Sequence, residues 1–315
     1  MNRILSVFIL QIWSLVTYGQ FRDSALIWLS FGDEINVTID CPEQATHMQK
    51  KPLILILYAL PNGSNTEQTM GRKMSGNLDW KFDIQHIRAQ TEFIRKADKS
   101  HRYAVAYLEN RYLSWPHWKA RHADHAKIVL ALVDSLRHFF RSDSCVVFLN
   151  GHSGGGRFIF SYLDAVKDIP SYIKRISFLD SDYGYEDVYL GQISRWLREV
   201  KDAHLNVFAY NDSVALYNGK PFVSATGGTW YRSHQMLYGL SDSFLISRIR
   251  NDSLIYYQTA DKKVQFFFKT NPGRIIYHTI QVVRNGFIHS IFCGTRYSNK
   301  GYRYFGERAF DRYIR

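Results

Sequence analysis

The chain has 315 residues, 46% of them hydrophobic and 22% charged, the balance of a folded globular protein, with a formal charge of +12. Its Lys and Arg residues are scattered, and even the densest group, 296–315, is diluted by Tyr, Phe, Glu and Asp. This excludes a recognisable nucleic-acid module and implies a basic solvated surface suited to anionic surroundings.

The opening stretch MNRILSVFILQIWSLVTYGQ has a basic start at Arg3, an apolar run from Ile4 to Val16 and small residues near Thr17 and Gly19. That layout predicts a secretory signal peptide over residues 1–20, cleaved beside Gln20. The run is shorter than the roughly 18–20 residues that span a bilayer. The expected location is therefore secreted or periplasmic, with a soluble mature chain, residues 21–315, and no stable membrane insertion after cleavage.

Two runs, ALIWLSF and INVTIDC, predict a leading antiparallel hairpin. LILILYAL (Leu53 to Leu60), YAVAYLE (Tyr103 to Glu109) and CVVFLNG (Cys145 to Gly151) are apolar on both faces, as buried parallel strands are. RISFLDSD, LNVFAYND and RIIYHTIQVV (Arg274 to Val283) continue the series. Helical spacing appears between them, in FDIQHIRAQTEFIRKA, HAKIVLALVDSLRHFF and QISRWLREV. Alternating strand and helix predict an α/β architecture with a mostly parallel sheet, in one domain. The stretch at about 213–270 is longer than a strand–helix–strand step needs, and its glycine- and aromatic-rich part reads as an inserted lid or pocket wall.

Three cysteines, Cys41, Cys145 and Cys293, are too few and too scattered for a disulfide framework or a zinc site, although an exported protein can join two of them. Cys145 and Cys293 read as small buried residues. His117, His122, His125 and Asp124 crowd into PHWKARHADHAK, but without the spacing and central glutamate of a zinc hydrolase, so no metal is expected there. Glu67, Asp79 and Asp83 show no pairing that would mark them as glycosidase carboxylates.

The most informative stretch is VVFLNGHSGGGRF. Gly151-His152-Ser153-Gly154-Gly155 fills the Gly-x-Ser-x-Gly pattern, with a strand before it and a predicted helix, RFIFSYLDAV, after it. Glycines two positions either side of the serine let strand and helix approach closely. Neither the Lys-Ser or Lys-Thr of a Walker loop nor the spacing of a dinucleotide loop is present. The helix also aims its amino end at Ser153, where free N–H groups stabilise negative charge.

On these residues the chain resembles the α/β-hydrolase superfamily, and more narrowly its secreted bacterial esterases, from about Leu53 to Phe310. The resemblance implies an α/β-hydrolase fold and a serine hydrolase that cleaves a carboxylic ester through an acyl-enzyme intermediate. Ser153 is then the nucleophile, followed in the chain by an acid and a histidine. Among 12 histidines, His289 lies just beyond the last strand-like run, where the family places its base, while His278 falls inside that run and reads as a core or sheet-face residue. Asp212 is the expected acid, with Asp182 and Asp180 as alternatives one strand earlier. The oxyanion donors are expected from Gly154 and from the loop carrying Asn62 and Gly63; Asn62 either donates or shapes the turn. His152, Trp230 and His234 are expected to touch substrate, with Tyr231 a further candidate. No cofactor is implied, and the partner is a small-molecule or polymer-linked ester. A peptidase or amidase on the same triad, and a non-catalytic polymer-binding protein of this fold, are the alternatives.

Overall fold

Apolar runs without alternation form the centre of one large sheet. A computed structural model describes residues 25–42, 51–140, 145–251 and 253–315, and the expected leader lies outside these. The strands are β1 (Ala25–Phe31), β2 (Ile35–Cys41), β3 (Leu53–Ala59), β4 (Arg102–Asn110), β5 (Cys145–His152), β6 (Ile173–Leu179) and β7 (His204–Tyr210). A short hairpin, β8 (Leu216–Tyr217) and β9 (Lys220–Pro221), precedes β10 (Ile246–Asn251), β11 (Leu254–Thr259) and β12 (Val264–Lys269). The helices are α1 (Thr66–Met70), α2 (Ile87–Ala97), α3 (Trp115–Arg121), α4 (His125–Phe139), α5 (Gly156–Ala165), α6 (Leu190–Glu199), α7 (Thr229–Ser241) and α8 (Phe287–Phe292).

The main sheet has ten strands in the order β1-β2-β4-β3-β5-β6-β7-β12-β11-β10. Its middle, β4-β3-β5-β6-β7-β12, is parallel throughout. Antiparallel pairs extend it at both edges. Every residue of β3 is buried. Leu53, Leu55 and Leu57 enter one hydrophobic core while Ile54, Ile56 and Tyr58 enter another, because successive side chains leave a strand on opposite faces. Residues of α3 to α7 close the first core, and those of α2, α8 and the carboxyl-terminal segment close the second.

Two expectations are corrected here. Residues 246–269 of the supposed insertion are not a lid: they are β10, β11 and β12 of the main sheet. The run VQFFFK is buried along its whole length and pairs with β7 on one side and β11 on the other. Burying a phenylalanine there contributes roughly 1.5–3 kcal/mol, which explains why an aromatic run takes this slot. With the place beside β7 filled, Arg274–Val283 does not form the expected strand; it runs as a loop into a short helical stretch. Asn271, buried at the end of β12, fixes the start of that loop. Its Nδ2 donates to the carbonyls of Asn211 (3.0 Å) and Ile275 (2.7 Å), and its Oδ1 accepts from the Ile275 N–H (3.0 Å).

Candidate active site

In a parallel sheet the strands end together, so the residues just past them gather on one edge. At the end of β5 the chain makes a tight turn, Ser153–Gly155, and enters α5. Ser153 has φ of +56°, in the left-handed region that a non-glycine residue rarely adopts. Its neighbours explain how the turn is tolerated. A Cβ at Gly151 would lie 2.9 Å from the carbonyl carbon of Gly155, and one at Gly155 would overlap the carbonyl oxygen of Ala59 on β3. Ser181, just past β6, donates to the Gly151 carbonyl (2.9 Å) and braces the turn from the neighbouring strand.

Ser153 lines a cavity of about 310 Å³ together with Asn62, Pro116, Gly154, Arg157 and His278. Ser181, Tyr183, Gly184 and Phe222 complete the wall, Phe222 coming from the loop after the β8–β9 hairpin. Nδ1 of His278 is hydrogen-bonded to Oδ2 of Asp180. Asp180 is fully buried and follows β6 directly. With Nδ1–H donated to that carboxylate, Nε2 of His278 is left as the basic nitrogen. The strand order thus brings together a serine from the end of β5, an acid from the end of β6 and a histidine from the loop after β12.

A second buried chain steadies His278 from behind. Tyr58 on β3 donates to Oε1 of Gln85 (2.7 Å), and Nε2 of Gln85 lies 2.9 Å from Nδ1 of His152. Nε2 of His152 meets the backbone carbonyl of His278 at 3.1 Å, and the two rings lie 4.6 Å apart at 32°. Burial, and then the charge of His278, hold the His152 pKa well below its ordinary value. A neutral His152 accepting at Nδ1 and donating at Nε2 satisfies every member of the chain. His152 was expected to touch substrate; it is buried and instead contacts the backbone and ring of His278.

The other expected residues fall as follows. His289 does not reach the cavity: it lies on α8, buried in the second core. It stacks on Tyr304 at 5.1 Å and its Nδ1 is 2.9 Å from the Tyr302 hydroxyl. Burial, and then the charge of Arg175, push its pKa down to about 3. Asp212 meets neither His278 nor His289. Its Oδ2 accepts from the Thr229 N–H (2.8 Å) and its Oδ1 from that of Trp230 (3.4 Å), so it caps the start of α7. Burial, and then the charge of Asp180, raise its pKa to about 7. Thr229 joins the two acids, its hydroxyl lying against both Asp180 and Asp212. Asp182 accepts from the Ser233 hydroxyl (2.8 Å), and burial holds its pKa well above the ordinary value.

Gly154 and Asn62 both line the cavity, with the Asn62 amide lying over the Gly154 Cα. Gly63 is no donor to it, because its N–H is committed to the Leu113 carbonyl (2.8 Å). Trp230 and His234 are not on the cavity wall: both pack on Phe268 of β12, at 5.2 and 4.4 Å. Of the clustered histidines, His122 pairs with Glu34 (2.7 Å) and stacks on Trp118. Among the described residues no group of His, Cys, Asp and Glu is arranged to hold a metal ion. Cys41, Cys145 and Cys293 are buried free thiols. The signal for His278 was present in sequence, a histidine soon after a buried aromatic strand, but it required recognising VQFFFK as the last strand of the sheet.

The parallel strand order and a strained serine between strand and helix, at the carboxyl edge, decide the architecture. The fold is of the α/β-hydrolase type. No protein-family model matches the chain, and no curated protein matches it at a significant level. Its α/β-hydrolase neighbours among solved structures include the siderophore hydrolase EstB from Aspergillus nidulans, at 15% identity and a TM-score of 0.45, covering 88% of this chain and 97% of that one. The siderophore hydrolase EstA from the same organism aligns at 11% identity and 0.48, with the same coverage. An IroE-like serine hydrolase from Shewanella oneidensis aligns at 12% and 0.43, covering 81% of this chain and 75% of that one. Likenesses this distant carry nothing about substrate or residues.

Proposed function

We propose that the chain is a serine hydrolase acting on carboxylic esters, with Ser153 as nucleophile, His278 as base and Asp180 as the acid that orients it. The observation that carries this reading is the cavity shared by a strained serine and a histidine whose Nδ1 is bound to a buried carboxylate. A serine hydroxyl attacks a carbonyl only when its proton is taken as the bond forms. Nε2 of His278 takes that proton, and the Asp180 carboxylate stabilises the imidazolium that results. The carbonyl oxygen gains a negative charge, met by the N–H of Gly154 and by an N–H of Asn62, from its backbone or its amide. Collapse of the tetrahedral intermediate expels the alcohol, which receives the proton from His278; water then repeats the sequence on the acyl-enzyme. The leader expected at residues 1–20 supports action outside the cytoplasm, which the amino-terminal sequence of the exported protein would check.

Steady-state hydrolysis of 4-nitrophenyl esters beside matched peptide 4-nitroanilides tests the reading. Ester turnover that falls by roughly 10³-fold or more in Ser153→Ala is expected. Turnover of the anilides alone would replace the esterase with a peptidase, and turnover of neither by folded protein would remove the hydrolase reading.

A further inference from the structure

The cavity wall carries one guanidinium and no carboxylate: Arg157 lines it beside Ser153 and His278, while Asp180 stays buried behind His278. Arg157 lies in the first turn of α5, directly after the elbow, and shares the cavity wall with Ser153. Its guanidinium lies against Gly184, where a Cβ would come 2.7 Å from Nη1 and 2.8 Å from Cζ. Among the described residues, Arg157 forms no hydrogen bond or ion pair. Lys119 and Arg195, by contrast, pair with Asp164 and Asp168. An arginine fork held in a concave site with no counter-ion is matched by a planar anion that offers two oxygens.

We infer that Arg157 is a specificity-determining residue that binds a carboxylate on the substrate, so that the preferred esters are anionic. This rests on the hydrolase reading for its chemistry, but the binding site stands or falls separately. The residues around Arg157 favour the same ligand. Tyr183 shares the wall, and burial keeps its phenol neutral and able to donate. Because Arg157 and Ser153 line the same cavity, the carboxylate it binds belongs to the ester itself, either on the acyl chain or on the alcohol.

Two matched pairs of esters separate those sources. For the acyl side the pair is mono-4-nitrophenyl glutarate and 4-nitrophenyl butyrate; for the alcohol side it is 3-acetoxybenzoate and phenyl acetate. In one pair, kcat/KM for the anionic member is expected to exceed that of the neutral member by at least about tenfold, mainly through KM. Arg157→Gln is expected to reduce that ratio by about tenfold or more, with Arg157→Lys in between because it keeps the charge and loses the fork. The same ratio in wild type and Arg157→Gln, in both pairs, would overturn the inference. Calorimetric binding of monoethyl glutarate and of benzoate to Ser153→Ala, with and without Arg157→Gln, gives a readout independent of turnover. Binding lost with Arg157 would uphold the subsite even if no ester were cleaved, and binding of both probes unaffected by its loss would end it.

Discussion

His278 and His289 show how much environment decides what a histidine does. His278 lies on a cavity wall with one nitrogen bound to Asp180, whereas His289 is enclosed by Phe267, Tyr302 and Tyr304, where burial holds it neutral. Asp180 and Asp212 differ in the same way. Both touch the Thr229 hydroxyl, but only Asp180 has a histidine, and Asp212 is left close to a negative charge with two backbone N–H groups as partial relief. Its pKa of about 7 in the folded chain stands against an ordinary value of 3.8. The folded state therefore holds a proton that the unfolded chain gives up between these values, and stability falls as pH rises through that window. Asp212→Asn cannot lose that proton. Urea denaturation between pH 4 and 8 is expected to show wild type losing stability relative to Asp212→Asn as pH rises, and parallel profiles would contradict the assignment.

At the scale of elements, the start of α7 ties the site to the fold. Gly228, its N-cap, carries no capping side chain, and Asp212 from the end of β7 takes that role across the gap. A Cβ at Gly228 would overlap that carboxylate. Gly228→Ala is therefore expected to cost about 1–3 kcal/mol in urea denaturation, the range for a side chain forced into a packed site; an unchanged midpoint would mean that Asp212 moves freely. Strand β12 is the element whose identity mattered most. The base was expected just beyond the last strand, and Arg274–Val283 has the stronger appearance of a strand in isolation, with Ile, Tyr and Val in succession. Pairing with β7 and β11 selects VQFFFK, and no property of either run alone records that competition. The same cause hid β10 and β11 inside an apparent insertion.

Across the whole molecule, what was legible from sequence is what depends on local pattern. The leading hairpin, the parallel strands from β3 to β7, the helices between them and the elbow around Ser153 are all present where periodicity and glycine spacing put them. What was not legible depends on which strand ends meet. The pairing of His278 with Asp180, the placement of His289 in the second core and the burial of His152 follow from the sheet order, which brings the ends of β5 and β6 and the loop after β12 to one edge. Among the described residues no helix is long and apolar enough to cross a membrane.

The most direct test of the proposed triad is the rate of labelling by a fluorophosphonate probe, read by intact mass on wild type, Ser153→Ala, His278→Ala and His289→Asn. The account predicts one adduct on wild type, none on Ser153→Ala, labelling slowed by roughly 10²-fold or more in His278→Ala, and labelling retained in folded His289→Asn. Wild-type labelling rates in His278→Ala, with labelling lost in a His289→Asn variant that keeps its near-ultraviolet circular dichroism, would contradict it.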